Sequence, residues 1–409
     1  MHRIPIMALT GAVTVVMVAG CGSRGTESSG GVSGDTLTIG ASMSLTGSLA
    51  SEGQLTKEGY DLCIQKVNAA GGVTVDGKKV KLKVSYQDDT SKPDTAAQLV
   101  DQYNDKGIKL ILSSYGTPNA AAQAPVVERN GQVMVDTGGA DDAIFHKGYK
   151  RTFAVLSPAT QYAASIVQAL NDLAKPKPKK VVFLSADDAF SKTVTGGGEA
   201  MAKKLGMTVL PAQYFPESST DVSSSLNKVK AQKPDVIIGS VHLVEGVAIM
   251  KQSSELGVKP SGGFAETVAP PTPDFSKTLG KLAENVLSSS QWSPTVKGED
   301  KYFGTGKEFG ADIQKQYGHA ADYHNAEAAA GCLALTEAVQ NANSADVDKV
   351  RDNLAKLDIQ SAFGHLKFNS LGQNVYKPMS VIQVQDGKPV TVWPKDEAEA
   401  KLNWPGTAS

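Results

Sequence analysis

An excess of charge of either sign is the first thing this chain lacks. Its 409 residues carry 41 Lys and Arg against 42 Asp and Glu, a net charge of -1. That balance gives no electrostatic reason to expect nucleic acid, whose recognition calls for a basic face. The one basic cluster runs Lys175-Pro176-Lys177-Pro178-Lys179-Lys180 between a helix-like and a strand-like stretch, and it reads as a solvated turn. Catalytic patterns are missing as well. The six histidines form no H-E-x-x-H pair, and no Cys/His set has zinc spacing, so no metal site is expected. No G-x-S-x-G elbow occurs. Residues 72–79 imitate a phosphate loop, but they lack the final Ser/Thr and follow a helix, so a hairpin-like turn is the better reading. Gly196-Gly197-Gly198 does not fit a dinucleotide fingerprint, and no cofactor is expected. The acid pairs Asp88-Asp89 and Asp141-Asp142 are of a kind common in loops. Beyond the first 21 residues no run is apolar enough to span a bilayer. Cysteine is scarce, with only Cys21, Cys63 and Cys332.

What is present begins at the N-terminus. Residues 1–21 combine a positive start at Arg3, a mostly apolar stretch over 4–20 and small residues leading to Cys21. That is the pattern of a secretory signal peptide. Val18-Ala19-Gly20-Cys21 resembles a bacterial lipobox, in which the peptide is cut before a cysteine that then carries lipid. Pro5, Thr10 and Gly11 make the same stretch a poor transmembrane helix. Residues 22–35 are Gly/Ser-rich, too polar to bury a core, and read as a flexible linker of roughly 20 Å. The expectation is an exported body anchored to the outer face of the cell membrane through lipidated Cys21. With Cys21 lipidated, Cys63 and Cys332 remain as a disulfide or as two separate buried thiols.

The folded body, about 36–395, is long enough for two domains. Apolar β-rich runs alternate with helical periodicity along most of it. Strands are expected at 36–42, 79–87, 108–114, 132–136 and 151–157, then at 181–185, 207–215, 235–241, 262–266 and 284–292. Helices are expected at 53–69, 92–106, 118–130, 159–174, 190–205, 221–232 and 244–256. A longer helical section covers roughly 299–357, and sheet-like residues close the body at 363–369 and 379–393. The tail after Trp393 is polar and expected to fray. Alternating βα units imply α/β architecture with parallel sheets covered by helices.

In such sheets ligands bind beyond the carboxyl ends of the strands. Six loops qualify: 43–52, 114–118, 137–142, 186–190, 242–245 and 266–270. The 114–118 loop leads into a helix whose free N–H groups suit a carboxylate. Gly138-Gly139 permits close backbone approach, and Glu266, at a strand end in the other half, is placed to face a cation.

The opening SMSLTGSLASEGQLTKEGYDLCIQKVNAAGG is similar to the start of type I periplasmic solute-binding proteins, the leucine/isoleucine/valine-binding group. YQDDTSKPDTAAQLVDQ (86–102), ILSSYGTPNAAAQAPVVE (111–128), MVDTGGADD (134–142) and AETVAPP (265–271) match in order. Each is loose, but order and spacing together are specific, and the resemblance covers about 36–395. It implies two Rossmann-like lobes joined by a three-strand hinge, with ligand held in the cleft and trapped by closure. Lobe one would be 36–157 plus 293–366, lobe two 158–291 plus 367–395, with a tail at 396–409. The implied partners are a small-molecule ligand and ABC permease subunits, for a monomer that does no covalent chemistry. A ligand sensor for a membrane receptor, or an exported enzyme, are the competing readings.

The resemblance also places a site. Thr117 falls at the family's hydroxyl for the ligand carboxylate, beside Tyr115 and Gly116. Glu266 falls at the ammonium-binding acid, and Phe190 at an aromatic ring over the ligand. His242 or Leu243 occupies another aromatic position. Ala140 replaces a threonine that helps bind the amino-acid head, leaving Gly139 to offer backbone groups. Glu52 stands where a tryptophan lines the side-chain pocket, and a second carboxylate there disfavours a purely aliphatic ligand. A polar amino acid, an amide or another small cationic or zwitterionic solute is therefore expected. The flavodoxin-like lobe that the resemblance implies places its first and last helices on one face of the sheet, which brings Cys63 and Cys332 within reach of a bridge.

Overall fold

The computed structural model describes residue 2 and residues 31–406. The signal peptide, the lipobox with Cys21 and most of the expected linker lie outside the described residues.

Two sheets organise the chain. The first carries Val73–Val75, Lys78–Asp88, Thr36–Met43, Leu110–Leu112, Val133–Asp136 and Thr152–Ala154 in that spatial order. Pairing is parallel from Lys78–Asp88 through to Thr152–Ala154, with Ile39 opposite Val84 and Met134 opposite Thr152. Val32–Ser33 adds an antiparallel pair to Thr36–Met43, so the last residues of the expected linker are strand. The second sheet runs Gln213–Phe215, Lys180–Ala186, Val236–Ser240, Phe264–Glu266, Leu287–Ser290, Ser380–Gln385 and Lys388–Trp393. Its first five are parallel and the last two are antiparallel additions.

The five parallel strands of each sheet share one order. Numbered along the chain within each lobe, they lie 2-1-3-4-5. The switch point between strands 1 and 3 is where such sheets bind ligands. In the first lobe it lies beyond Met43 and Leu112, and in the second beyond Ala186 and Ser240.

The chain passes between the sheets three times: after Ala154, after Ser290 and after Gln373, which bridges Ala154 in parallel. That third passage falls later than the 366 boundary expected from sequence. The passages are tied to each other. Ser157 N–H donates to Gln291 Oε1 and Gln291 Nε2 donates back to Ser157 O, both at 2.9 Å. Ser157 Oγ donates to Lys377 O at 2.9 Å. Lys377 Nζ meets Glu327 at 3.0 Å, each side chain 2 % exposed.

After its second passage the chain returns to the first lobe as Gly306–Tyr317, Tyr323–Ala342 and Val347–Leu354. The middle helix is alanine-rich and buried over most of its length, and it packs on Ala50–Ala69. A Cβ on Gly59 would sit 2.1 Å from Asn325 O, so the two backbones approach too closely for any larger residue. A disulfide joins Cys63 and Cys332 across this contact, with Cα atoms 6.2 Å apart.

Three local expectations change. The 207–215 strand is two short pieces, Thr208–Val209 and Gln213–Phe215, interrupted at Pro211, which has no N–H for a ladder. The 299–357 section is three helices preceded by a hairpin of Glu299–Asp300 and Gly304–Thr305. The tail does not fray before 406. Glu399 and Ala400 N–H donate to Thr391 O, and Trp404 Nε1 donates to Pro176 O at 2.9 Å.

Candidate functional site

The first switch point is built from the strand Leu110–Leu112 outward. Ser113 and Ser114 follow it fully buried, and Ser114 N–H donates to Gln123 Oε1. Gly116 has φ 93, a left-handed value that lets the chain turn sharply into Thr117–Arg129. Asn119 Nδ2 donates to Tyr115 O at 3.1 Å and fixes the loop. Thr117 is 2 % exposed, and its Oγ1 has no hydrogen-bond partner. A buried hydroxyl without a partner is costly unless a ligand completes it. It stands at the start of a thirteen-residue helix, where free N–H groups and the dipole favour an anion.

The neighbouring loop is held by Asp136. Its Oδ1 accepts from Gly138 N–H, Gly139 N–H and Ser113 Oγ. Burial pushes its pKa up to about 6 against those hydrogen bonds. The Gly139 N–H expected to face a ligand is therefore already engaged.

The second switch point supplies Phe190 and His242. Asp188 caps the helix Ala189–Lys204 by accepting from Ser191 N–H, which sets Phe190 in its first turn. His242 immediately precedes Leu243–Leu256. Phe190 stands perpendicular to Tyr162 with centroids 5.1 Å apart, and 5.2 Å from the His242 ring. Tyr115 Oη lies 3.3 Å from His242 Nδ1, a contact between the lobes.

These groups line a narrow cavity of about 10 Å³, tightly closed in this form. Tyr115, Thr117, Ala140, Phe190 and His242, all singled out from sequence, line it. Gly138, Leu156, Tyr162, Val268 and Tyr323 line it too and escaped that reading. Val268 carried a findable signal only in the backbone: its φ of 62 is rare for a β-branched residue and often marks a functional position. Gly116 lines an adjoining cavity of about 70 Å³ that shares His242.

Two expected carboxylates line neither cavity. Glu266 is fully buried with neither oxygen hydrogen-bonded. It lies against the helix Leu243–Leu256, where a Cβ on Gly246 would be 2.5 Å from its Oε2. Burial, then the charge of Glu245, pushes its pKa well above the carboxylate range. Glu52 is 1 % exposed, and its Oε1 accepts from Leu243 N–H of the other lobe at 3.3 Å. Ser51 Oγ to Asp274 at 2.9 Å and Thr193 Oγ1 to Asp141 at 3.0 Å are further contacts between the lobes. The lobes are thus closed on the cavity. Among the described residues no group of three or more His, Cys, Asp or Glu could hold a metal, and no helix is long and apolar enough to cross a membrane.

Two α/β lobes with matched strand order, three tied passages and a cavity at facing switch points define an interlobe binding protein. The periplasmic binding protein family model matches residues 36–389, and the chain belongs to that family. The Leu/Ile/Val-binding protein homolog 8 of Brucella abortus is 27% identical over 384 residues, covering 88% of this chain and 91% of that protein. A leucine-binding protein from Thermotoga maritima superposes with TM-score 0.76 at 20% identity, covering 87% of this chain and 97% of that one. A branched-chain amino acid substrate-binding protein from Streptococcus pneumoniae, solved with isoleucine, gives 0.75 at 21%, covering 90% and 100%. The fold is the type I periplasmic binding fold shared with these structures, and the family's place is extracytoplasmic.

Proposed function

We propose that this chain is the substrate-binding lipoprotein of an ABC importer, anchored through lipidated Cys21. It captures an amino acid or similar small polar solute between its lobes, as a monomer without chemistry of its own, and delivers it to a permease. The observation that carries this reading is the buried, unpartnered Thr117 Oγ1 at a helix N-terminus inside a cavity walled by both lobes. A ligand carboxylate completes that hydroxyl. Tyr115, Phe190 and His242 pack on the remainder, and Ala140 leaves room beside the head group. Gly116 shapes the turn, and Glu52 acts by holding the second lobe at Leu243. The names of the relatives support a transport role over catalysis.

Thermal unfolding of the full chain against amino acids, amides and small organic acids tests this. A ligand at 1,000 times its dissociation constant adds about 4.1 kcal/mol. One chemical class should raise the midpoint clearly, and the compound should be recovered intact. A flat panel on protein freed of carried-over ligand, or conversion of the bound compound, would contradict it.

A further inference from the structure

We infer that the cavity selects a methylated ammonium carboxylate, a small zwitterion without N–H donors, over a primary amino acid. This rests on the solute-binding reading above and names its substrate class.

A primary ammonium brings three N–H donors, and burying them without acceptors is costly. The acid expected to accept them, Glu266, lies against Gly246 and does not line the cavity. Glu52 does not line it either, and one of its oxygens holds Leu243 N–H. What the walls offer is π surface: Tyr115, Tyr162, Phe190, Tyr323 and the His242 ring. Tyr162 and Phe190 meet at 90°, and Phe190 and His242 at 35°, so the aromatic lining is one contiguous cluster.

Charge favours a cation at this place. No Lys or Arg lines the cavity. Carboxylates lie near enough to two of its tyrosines to raise their pKa values. Burial first, then Glu52 and Asp322, raises the Tyr115 pKa. Burial first, then Glu327 and Asp136, raises that of Tyr162. Glu327 pairs with Lys377 and Asp322 with His324, and Glu52 also acts on His324, whereas the hydrogen bonds of Asp136 come from neutral groups only. No carboxylate lines the cavity to accept from a cation directly. A quaternary ammonium suits that combination. It needs no acceptor, spreads its charge over methyl groups and is attracted by aromatic faces. Its carboxylate end completes Thr117.

Isothermal titration of the full chain with N,N,N-trimethylglycine, leucine and benzoate tests the inference. Trimethylglycine should bind at least tenfold more tightly than leucine or benzoate. Phe190→Leu, which keeps an apolar side chain but removes the ring, should weaken trimethylglycine at least tenfold. If that variant fails to fold, Tyr162→Leu carries the same expectation, and the wild-type comparison stands without either. Leucine or benzoate binding as tightly as trimethylglycine, or an aromatic-to-Leu variant binding it unchanged, overturns the inference and leaves the solute-binding reading intact. Binding of none of the three, together with a flat thermal panel, overturns both.

Discussion

A buried carboxyl group without a hydrogen bond must either neutralise or destabilise the fold, and Glu266 is such a group. Its pKa is raised in the folded state by burial, then by Glu245. An acid with a raised folded pKa binds its proton more tightly when folded. Its contribution is therefore most favourable below the unfolded value of about 4.5 and is lost as pH climbs toward the folded pKa. Glu266→Gln should flatten that dependence: its melting midpoint should exceed wild type at pH 8 and approach it at pH 5, by calorimetry at both. A constant offset would mean that Glu266 does not titrate in this range. Thr117→Val removes a buried cavity-lining hydroxyl that has no hydrogen-bond partner. Affinity for the solute should fall about tenfold or more, the scale of a hydrogen bond to a charged group, while the unliganded midpoint holds or rises. Titration calorimetry reads the first and thermal unfolding the second. The loops that hold Thr117, Phe190 and His242 were legible because they follow the carboxyl ends of strands, which a sequence pattern locates; the individual residues came from the resemblance. The direction of Glu266 and the prior engagement of Gly139 were not legible, since packing on Gly246 and the reach of Asp136 decide them.

At the scale of elements, burial on both faces made the parallel strands readable as short apolar runs. Elements fixed by their neighbours were less so. The helix Pro273–Leu279 and the strand Asp358–Ser361 are too short to carry a long period of their own, and the strand is held by its antiparallel partner Gly364–Lys367. The contact between Ala50–Ala69 and Tyr323–Ala342 is the structural centre of the first lobe. Its bridge, Cys63–Cys332, spans 269 positions of sequence, and a cross-link of long range typically adds about 2–4 kcal/mol. The double variant Cys63→Ser, Cys332→Ser should lower the melting midpoint by several degrees. Ligand affinity should stay within about twofold, since neither residue lines the cavity. An unchanged midpoint would remove the bridge from the stability of this contact.

For the whole molecule, two lobes of like strand order face each other across one cavity, and three short passages join them. Ser157, Gln291 and Lys377 knit those passages into one unit, with Lys377 anchored on Glu327 in the first lobe. The polar contacts across the cleft include Glu52 on Leu243 N–H, Ser51 on Asp274, Thr193 on Asp141 and Tyr115 on His242. Such contacts are individually modest, so an added partner in the cavity shifts the balance toward closure by its differential affinity for that state. The division into lobes was visible in the sequence only as a repeated βα rhythm. The late return of 306–354 to the first sheet became legible through resemblance alone, because nothing local in those helices says which sheet they cover. The most direct test is small-angle scattering on the full chain, without ligand and then saturated with the panel compound that stabilises it most. A smaller radius of gyration in the saturated protein is the predicted result. An unchanged radius at saturation would place the solute outside the cleft and contradict an interlobe binding protein.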